Sequence, residues 1–223
     1  MVYRRQPRLS DFKTLSEQDR GYKNLRIVFP SNGEHGFPEV APYTGKPPMD
    51  LVPYNSVARR IPRDRMAVHF FIHDNKFEVA WSNPAVALTR LLGVGLSLGP
   101  DFSTYSDWPL PVQMFNVYRN RWCSALWQTE GIAVIPTVSW SDRSSFSWCF
   151  EGLPENAPLA ISTVGCLRRF RREFLLGYYA MVRRLDPSWV VAYGPVLPEM
   201  ERCSNVIPYL HKRDAFNQDG TLG

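Results

Sequence analysis

The feature that most constrains the fold is a regular alternation of short apolar runs with stretches of helical length. Apolar runs at 51–54, 67–73, 94–98, 132–138, 159–163 and 189–193 are typical of buried strands. Between them, helices are predicted at 75–92 with a break near Pro84, at 110–129, at 144–150 and at 168–185. Strands that are apolar throughout and separated by helices pair in parallel, with both faces of the sheet covered. The sequence therefore predicts an α/β fold.

Residues suited to function follow nearly every predicted strand, which bears on the type of α/β fold. They are Asn55, Asp74, Asp101, Ser139, Asp142, Gly165 and Gly194. A (β/α) barrel spreads such residues around one rim, whereas an open doubly wound sheet collects them at one switch point. The pattern favours a shortened, barrel-like parallel sheet. An open doubly wound sheet remains the alternative.

The first 48 residues differ from the rest of the chain. Residues 30–48 are so rich in Pro and Gly that neither a helix nor a strand is expected there. We predict an irregular arm over 1–48, followed by one α/β domain over 49–223. With 44% hydrophobic residues among 223, the chain can bury one sizeable core.

Composition narrows the classes of partner and cofactor. The four cysteines are far apart, with no CxxC pair, so we expect no cysteine-based zinc site, and the sequence predicts neither a metal nor a cofactor. Phosphate-binding glycine motifs are absent from the sequence. No apolar run approaches the ~18–20 residues of a membrane span, so we expect a cytoplasmic protein without a membrane partner. A net charge of +5 favours polyanions such as DNA.

Two strand ends carry the densest polar side chains. The run over 93–107 stops at Gly99-Pro100 and is followed by Asp101, Ser103 and Asp107. The run over 132–142 ends in Ser139 and Asp142. Because the carboxyl ends of parallel strands meet at one edge of a sheet, both groups are predicted to belong to one site.

Five segments resemble a family of small proteins carried by phages and other mobile elements, catalogued as a domain of unknown function. They are VHFFI at 68–72, PDFS at 100–103, NVYRNR at 116–121, IPTVSW at 135–140 and ISTVG at 161–165. The set also looks like the phage branch of the tRNA-guanine transglycosylase superfamily, barrel enzymes that exchange guanine in DNA for a 7-deazaguanine base. The cysteine-rich zinc site of its tRNA-acting members has no match in this sequence. The resemblance therefore implies DNA and a 7-deazaguanine base as substrates.

That second resemblance implies a carboxylate that attacks the anomeric carbon and is later displaced by the incoming base. Asp101 is then the nucleophile or the acid that recognises the base, and Asp142 takes the other role. Ser139 and Asn116 are expected to bond the base edge, and Trp140 to stack on an extruded base. The other substrate-binding candidates are Ser103, Asp107, His73 and Asp74. Arg119, Arg121, Arg168 and Arg169 are candidates for contacts with backbone phosphates.

Structural interpretations of the same residues stay open. Asp101 after Gly-Pro suits the cap of a turn, and Asp142 before Arg143 suits a helix N-cap. His69, inside an apolar strand, is typical of a core histidine. Two other functions also stay open. One is a non-catalytic nucleic-acid-binding protein of a mobile element, and the other is a metal-dependent hydrolase or phosphodiesterase.

Overall fold

The computed structural model describes residues 24, 27–57, 66–166 and 170–210. The described part contains seven strands: β1 Asp50–Pro53, β2 Met66–His69, β3 Leu96–Leu98, β4 Ala133–Ile135, β5 Leu159–Ser162, β6 Val190–Tyr193 and β7 Val206–Tyr209. Its α-helices are α1 Val79–Ser82, α2 Pro84–Leu91, α3 Leu110–Thr129, α4 Arg171–Leu185 and α5 Pro198–Glu201. Short 3₁₀ turns cover Tyr54–Ser56, Asp74–Lys76 and Arg143–Ser147. The predicted α/β class is confirmed.

All strand pairs are parallel, and their order follows the chain. One sheet has the order β1-β2-β3-β4, and the other has the order β5-β6-β7. A bridge between Thr137 and Ala160 joins them: the Val138 N–H donates to the Ala160 carbonyl at 2.8 Å, and the Ala160 N–H donates to the Pro136 carbonyl at 2.8 Å. A doubly wound sheet reverses its strand order at a switch point. The described strands show no such reversal, which favours the barrel-like arrangement.

The joined sheets curve so that one face turns inward. Every strand contributes to a single buried cluster, made of Leu51, Ala67, Leu98, Ile135, Ala160, Val191, Tyr193 and Tyr209. Seven strands can share one cluster only if the sheet curls around it. In the described part β1 and β7 do not pair, so no closed barrel is formed. The Tyr209 hydroxyl nevertheless donates to the Pro48 carbonyl, just before β1.

Helix α3 lies unusually deep for a helix that carries polar residues. Twelve of its 20 residues are buried, including Asn116, Arg119, Asn120 and Arg121. It ends where the sequence predicted, because Gly131 takes the left-handed φ of +82° that favours glycine. The buried polar residues of α3 point toward the strand ends, and several of them contribute to the site described below.

Strand β2 ends at His69, four residues short of the predicted end at 73, and two further features differ from the sequence expectation. Strand β7 was not predicted, because Pro208 interrupts its apolar run; proline is tolerated there since β7 is an edge strand. Strand β4 ends at Ile135, and the chain beyond it continues only as the bridge at Thr137. Residues 27–48 form neither helix nor strand, but they bury Phe29, Phe37 and Val40. The division into arm and domain stays a prediction.

Candidate active site

Asp101 and Asp74 lie together at the carboxyl ends of neighbouring strands. Asp101 comes three residues after β3, and Asp74 begins the turn that follows β2. The Asp74 carboxylate accepts one hydrogen bond from the Ser103 N–H at 3.0 Å and another from the Ser103 hydroxyl at 2.9 Å. These bonds tie the two loops together. We call Asp74, Asp101 and Ser103 the Asp101 cluster, and all three were predicted site residues.

A chain of side-chain hydrogen bonds joins the Asp101 cluster to α3. The Asn116 amide donates to the Ser103 carbonyl at 2.6 Å, and its oxygen accepts from Arg119 Nη2 at 2.6 Å. Arg119 Nη1 contacts both carboxylate oxygens of Glu78, at 2.8 and 2.9 Å. The predicted residues Asn116 and Arg119 therefore adjoin the cluster.

Asp101 has the most perturbed carboxyl group of the site. The residue itself is partly exposed to solvent. Burial raises the pKa of Asp101 to about 7, and the negative charge of Asp74 adds to the effect. A carboxyl group that titrates near neutrality can act as an acid, as a base or, once ionised, as a nucleophile.

The raised pKa of Asp101 predicts a pH-dependent loss of stability. An ordinary carboxyl group ionises near 3.8, whereas Asp101 in the folded protein ionises near 7. The protonated Asp101 carboxyl group therefore contributes fully to the free energy of unfolding below about pH 4, and this contribution is lost as the pH rises through 7. We expect the free energy of unfolding of the wild type to fall by up to about 4 kcal/mol relative to Asp101→Asn between pH 4 and 8. Urea unfolding of both proteins across this range measures it.

Asp142→Asn is the matched control for this pH dependence. Hydrogen bonds from Ser144 lower the pKa of Asp142, so its contribution should be lost as the pH falls, the opposite direction. A constant difference between wild type and Asp101→Asn across the range would contradict the assignment.

One residue that follows β5 lies within electrostatic reach of Asp101. The thiol of the half-buried Cys166 has a raised pKa, first because of burial and second because of the charge on Asp101. Cys166 follows β5, so the ends of β3 and β5 lie within electrostatic reach of each other. The loops after β5 and β6 are also in close contact, since a Cβ on Gly194 would lie 2.6 Å from Thr163 Oγ1. The sequence indicated only a small core residue at Cys166.

The rings of His69, Phe71 and Tyr193 pack together near the ends of β2 and β6. His69 at the end of β2 is 1% exposed, and its ring centroid lies 4.4 Å from that of Tyr193 on β6. The Phe71 and Tyr193 rings stack at 5.4 Å. The Phe71 N–H donates to His69 Nδ1 at 3.2 Å, which leaves the ring proton on Nε2. His69 is therefore a core histidine, as its place in an apolar strand predicted. It lies two residues after Ala67 on β2, so both side chains are on the face of the sheet that turns inward.

Asp142 is an exposed helix cap. Its carboxylate accepts from the Ser144 N–H at 2.8 Å and from the Ser144 hydroxyl at 2.6 Å, at the start of the Arg143–Ser147 turn. These bonds lower the pKa of Asp142. The charge that acts on Asp101 is that of Asp74, so we place Asp74 rather than Asp142 beside Asp101.

Trp140 packs against α4. A Cβ on Gly177 would lie 2.1 Å from the indole Nε1, and the Phe174 ring centroid is 5.4 Å from that of Trp140. This close approach explains a glycine in the middle of α4. Trp140 and Ser139 are both half-buried. Because Trp140 already lies against α4, we leave it out of the proposed site.

Two of the four predicted phosphate-binding arginines are buried. Arg119 is 9% exposed and Arg121 only 1%. Arg121 donates to the carbonyls of Glu151, Thr137 and Cys149 at 3.1, 3.2 and 2.8 Å, and to the Asn120 amide oxygen at 2.6 Å. Burial lowers its pKa to about 10. Arg168 and Arg169 lie outside the described residues, and His73 and Asp107 are exposed.

Other features of the described residues lie apart from the Asp101 cluster. These residues contain no group of three or more His, Cys, Asp or Glu that could hold a metal ion. Within the same residues, none of the helices has the length and apolar character needed to cross a membrane. A groove of about 1180 Å³, lined in part by Glu34, Glu39 and Glu151, contains none of the predicted site residues.

Comparison with known proteins places the chain in a family. The family model described as "Domain of unknown function (DUF4417)" matches residues 29–210, which is most of the chain. The chain belongs to this family. No solved structure matches this DUF4417 protein. The predicted family of unknown function is thereby confirmed, and the transglycosylase relationship stays a prediction.

Two phage proteins are similar to this DUF4417 protein. The Gene 1 protein of Mycobacterium phage D29 is 40% identical over 181 residues, which cover 77% of this chain and 64% of the phage protein. The Gene 1 protein of Mycobacterium phage L5 is 39% identical over 181 residues, covering 77% of this chain and 76% of that protein. The match thus spans less than two thirds of the D29 protein.

Proposed function

We propose that this DUF4417 protein exchanges guanine in DNA for a 7-deazaguanine base, with Asp101 as the carboxylate nucleophile. The observation that carries the proposal is the pair of carboxyl groups at the strand ends, Asp101 beside Asp74, in which burial raises the pKa of Asp101 to about 7. Transfer at an anomeric carbon commonly uses two carboxyl groups whose surroundings separate their pKa values. The similarity to Gene 1 proteins of two mycobacteriophages supports a phage context, with the cytoplasm of a host cell as the site of action.

The exchange proceeds through two displacements at the sugar. Ionised Asp101 attacks C1′ of the target nucleotide, the bond from C1′ to N9 breaks, and the departing guanine takes up a proton. A 7-deazaguanine that gives up its N9 proton then attacks C1′ and releases the Asp101 carboxylate. Burial favours the first step, because forming the neutral ester removes a charge that is poorly solvated.

Asp74 has a different role from Asp101 in this scheme. Its two hydrogen bonds from Ser103 hold the carboxylate in place. Asp74 therefore supplies a fixed negative charge beside the nucleophile. The target nucleotide must leave the duplex, because its sugar carbon and base edge both have to reach Asp101.

Mass analysis of nucleosides tests this function. Duplex DNA is incubated with the purified full chain and a 7-deazaguanine base, with and without a chelator. We expect a 7-deazaguanine deoxynucleoside and an equal amount of free guanine, both insensitive to the chelator. Release of guanine without incorporation would contradict exchange and indicate hydrolysis of the glycosidic bond.

Two further outcomes would support the alternative functions. Salt-sensitive retention of DNA without any new nucleoside would favour a non-catalytic binding protein. A reaction that the chelator abolishes would favour a metal-dependent hydrolase or phosphodiesterase.

A further inference from the structure

We propose that Asn116 and Arg119 are positioning residues, which hold Asp74 beside Asp101 from their buried places on α3. The inference concerns the same site as the proposed function. It rests, however, on hydrogen bonds and ring contacts, which are present whatever substrate the protein uses.

Asn116 links helix α3 to the Asp101 cluster by both ends of its amide. The side chain is 3% exposed, its nitrogen donates to the Ser103 carbonyl, and its oxygen accepts from Arg119. Rotating the amide by half a turn would place donor against donor and acceptor against acceptor. Arg119 therefore fixes the orientation in which Asn116 can hold Ser103.

Arg119 restrains both residues that follow Asp101. Through Asn116 it holds Ser103, and its guanidinium carbon lies 4.0 Å from the centroid of the Phe102 ring. A guanidinium over an aromatic face is an attractive contact that also fixes the plane of the ring. The segment 101–103 is thereby held against α3.

Glu78 anchors the far end of this chain of contacts. It accepts two hydrogen bonds from Arg119 Nη1 at the start of α1, close in sequence to Asp74. This series of contacts thus begins at Asp74 and ends at Glu78, both on the segment that follows β2. A closed loop of contacts of this kind keeps the Asp74 carboxylate at Ser103, and hence within reach of Asp101.

Among the described residues, two titratable groups lie within electrostatic reach of Asp101. Asp74 faces it from the loop after β2, and Cys166 faces it from the loop after β5. Arg119 and Glu78 lie one step further away and neutralise each other. Loosening the hydrogen bonds to Ser103 should therefore act on Asp101 mainly through Asp74.

Carbon-13 NMR of the Asp101 carboxyl group tests the inference in the full chain without substrate. The variant is Asn116→Leu, which keeps the volume but removes both amide bonds. The matched control is Gln113→Leu, one turn earlier on α3, because Gln113 is 7% exposed and donates to the Trp108 carbonyl at 2.8 Å outside this chain of contacts. Asp74→Asn shows how far the titration midpoint of Asp101 moves when the charge of Asp74 itself is removed. Asp101→Asn identifies the carbon-13 signal of Asp101, because this signal is missing from its spectrum.

We expect the wild type and Gln113→Leu to titrate near pH 7 and Asn116→Leu to titrate about one pH unit lower, toward the value of Asp74→Asn. A folded Asn116→Leu that titrates like the wild type would overturn the inference. If Asn116→Leu does not fold, Ser103→Ala removes only the hydroxyl bond to Asp74. It should lower the midpoint by a smaller amount, and an unchanged midpoint there would also overturn the inference.

The exchange reaction separates this inference from the proposed function. In Asn116→Leu the pH of half-maximal exchange should fall with the NMR midpoint, while Gln113→Leu keeps the wild-type profile. If the wild type exchanges no base, the proposed function fails, and the NMR midpoints still decide whether Asn116 positions Asp74.

Discussion

Asp101→Asn is expected to lower the rate of base exchange by about a thousand-fold or more. Asn has nearly the shape of a protonated Asp, so it fits the position after β3, but it can neither form a glycosyl ester nor exchange a proton. The raised pKa of Asp101 also sets the pH profile of the wild type. Because only the ionised carboxylate attacks, the rate should rise as the pH increases through about 7 and then level off.

The same substitution at Asp142 is the control for this activity measurement. Asp142 is exposed and bonds only its own turn through Ser144, so Asp142→Asn should retain the rate within about three-fold. Initial rates of deazaguanine incorporation, measured between pH 5.5 and 9, give both comparisons. Wild-type rates in folded Asp101→Asn would remove Asp101 from the mechanism.

Arg121→Met is expected to destabilise the protein by about 3–5 kcal/mol. Methionine fills much of the space but donates no hydrogen bonds. The carbonyls of Thr137, Cys149 and Glu151 would then lose a donor inside the protein. These carbonyls lie after β4 and in the segment that follows the Arg143–Ser147 turn, so their contacts with α3 would loosen together.

Urea unfolding at one pH measures this loss of stability. Arg172→Met on α4 is the matched control, because Arg172 is exposed and its replacement should change the free energy of unfolding by less than about 0.5 kcal/mol. Arg121→Lys should be intermediate, since an ammonium group keeps the charge but cannot reach all four acceptors as the forked guanidinium does. Equal losses for Arg121→Met and Arg172→Met would contradict the role assigned to Arg121.

The comparison of Asp142 with Asp74 shows which contacts a sequence can reveal. Asp142 bonds Ser144, two residues further along the chain, and a cap of that kind could be predicted from the local sequence. Asp74 bonds Ser103, which is 29 residues away, so the contact depends on β2 and β3 lying side by side. The sequence indicated both Asp74 and Ser103 as strand-end residues, but it did not show which acid would lie beside Asp101.

The buried arginines show a second limit of the sequence. Arg119 and Arg121 lie on a helix whose apolar residues recur at helical spacing, and charged side chains on such helices are usually solvated. Here α3 is covered on several sides, so Arg121 donates through all three of its nitrogens within the protein, and Arg119 donates through both Nη atoms while its buried Nε has no partner among the described residues. The predicted contacts with phosphate assumed that both arginines are exposed. Because both are buried, neither is available on the surface for such a contact.

Periodicity and turn residues act over a few neighbouring positions, so the parallel α/β class, most of the strands and helices and the strand-end position of Asp101 could be predicted from the sequence. The curling of the sheet around one inner cluster and the pairing of Asp74 with Asp101 became visible only in the folded chain. The tertiary structure also placed Asn116 and Arg119 inside the protein beside them. These outcomes depend on which strands pair and on how deeply a helix is covered, and both are set by contacts between residues far apart in the chain.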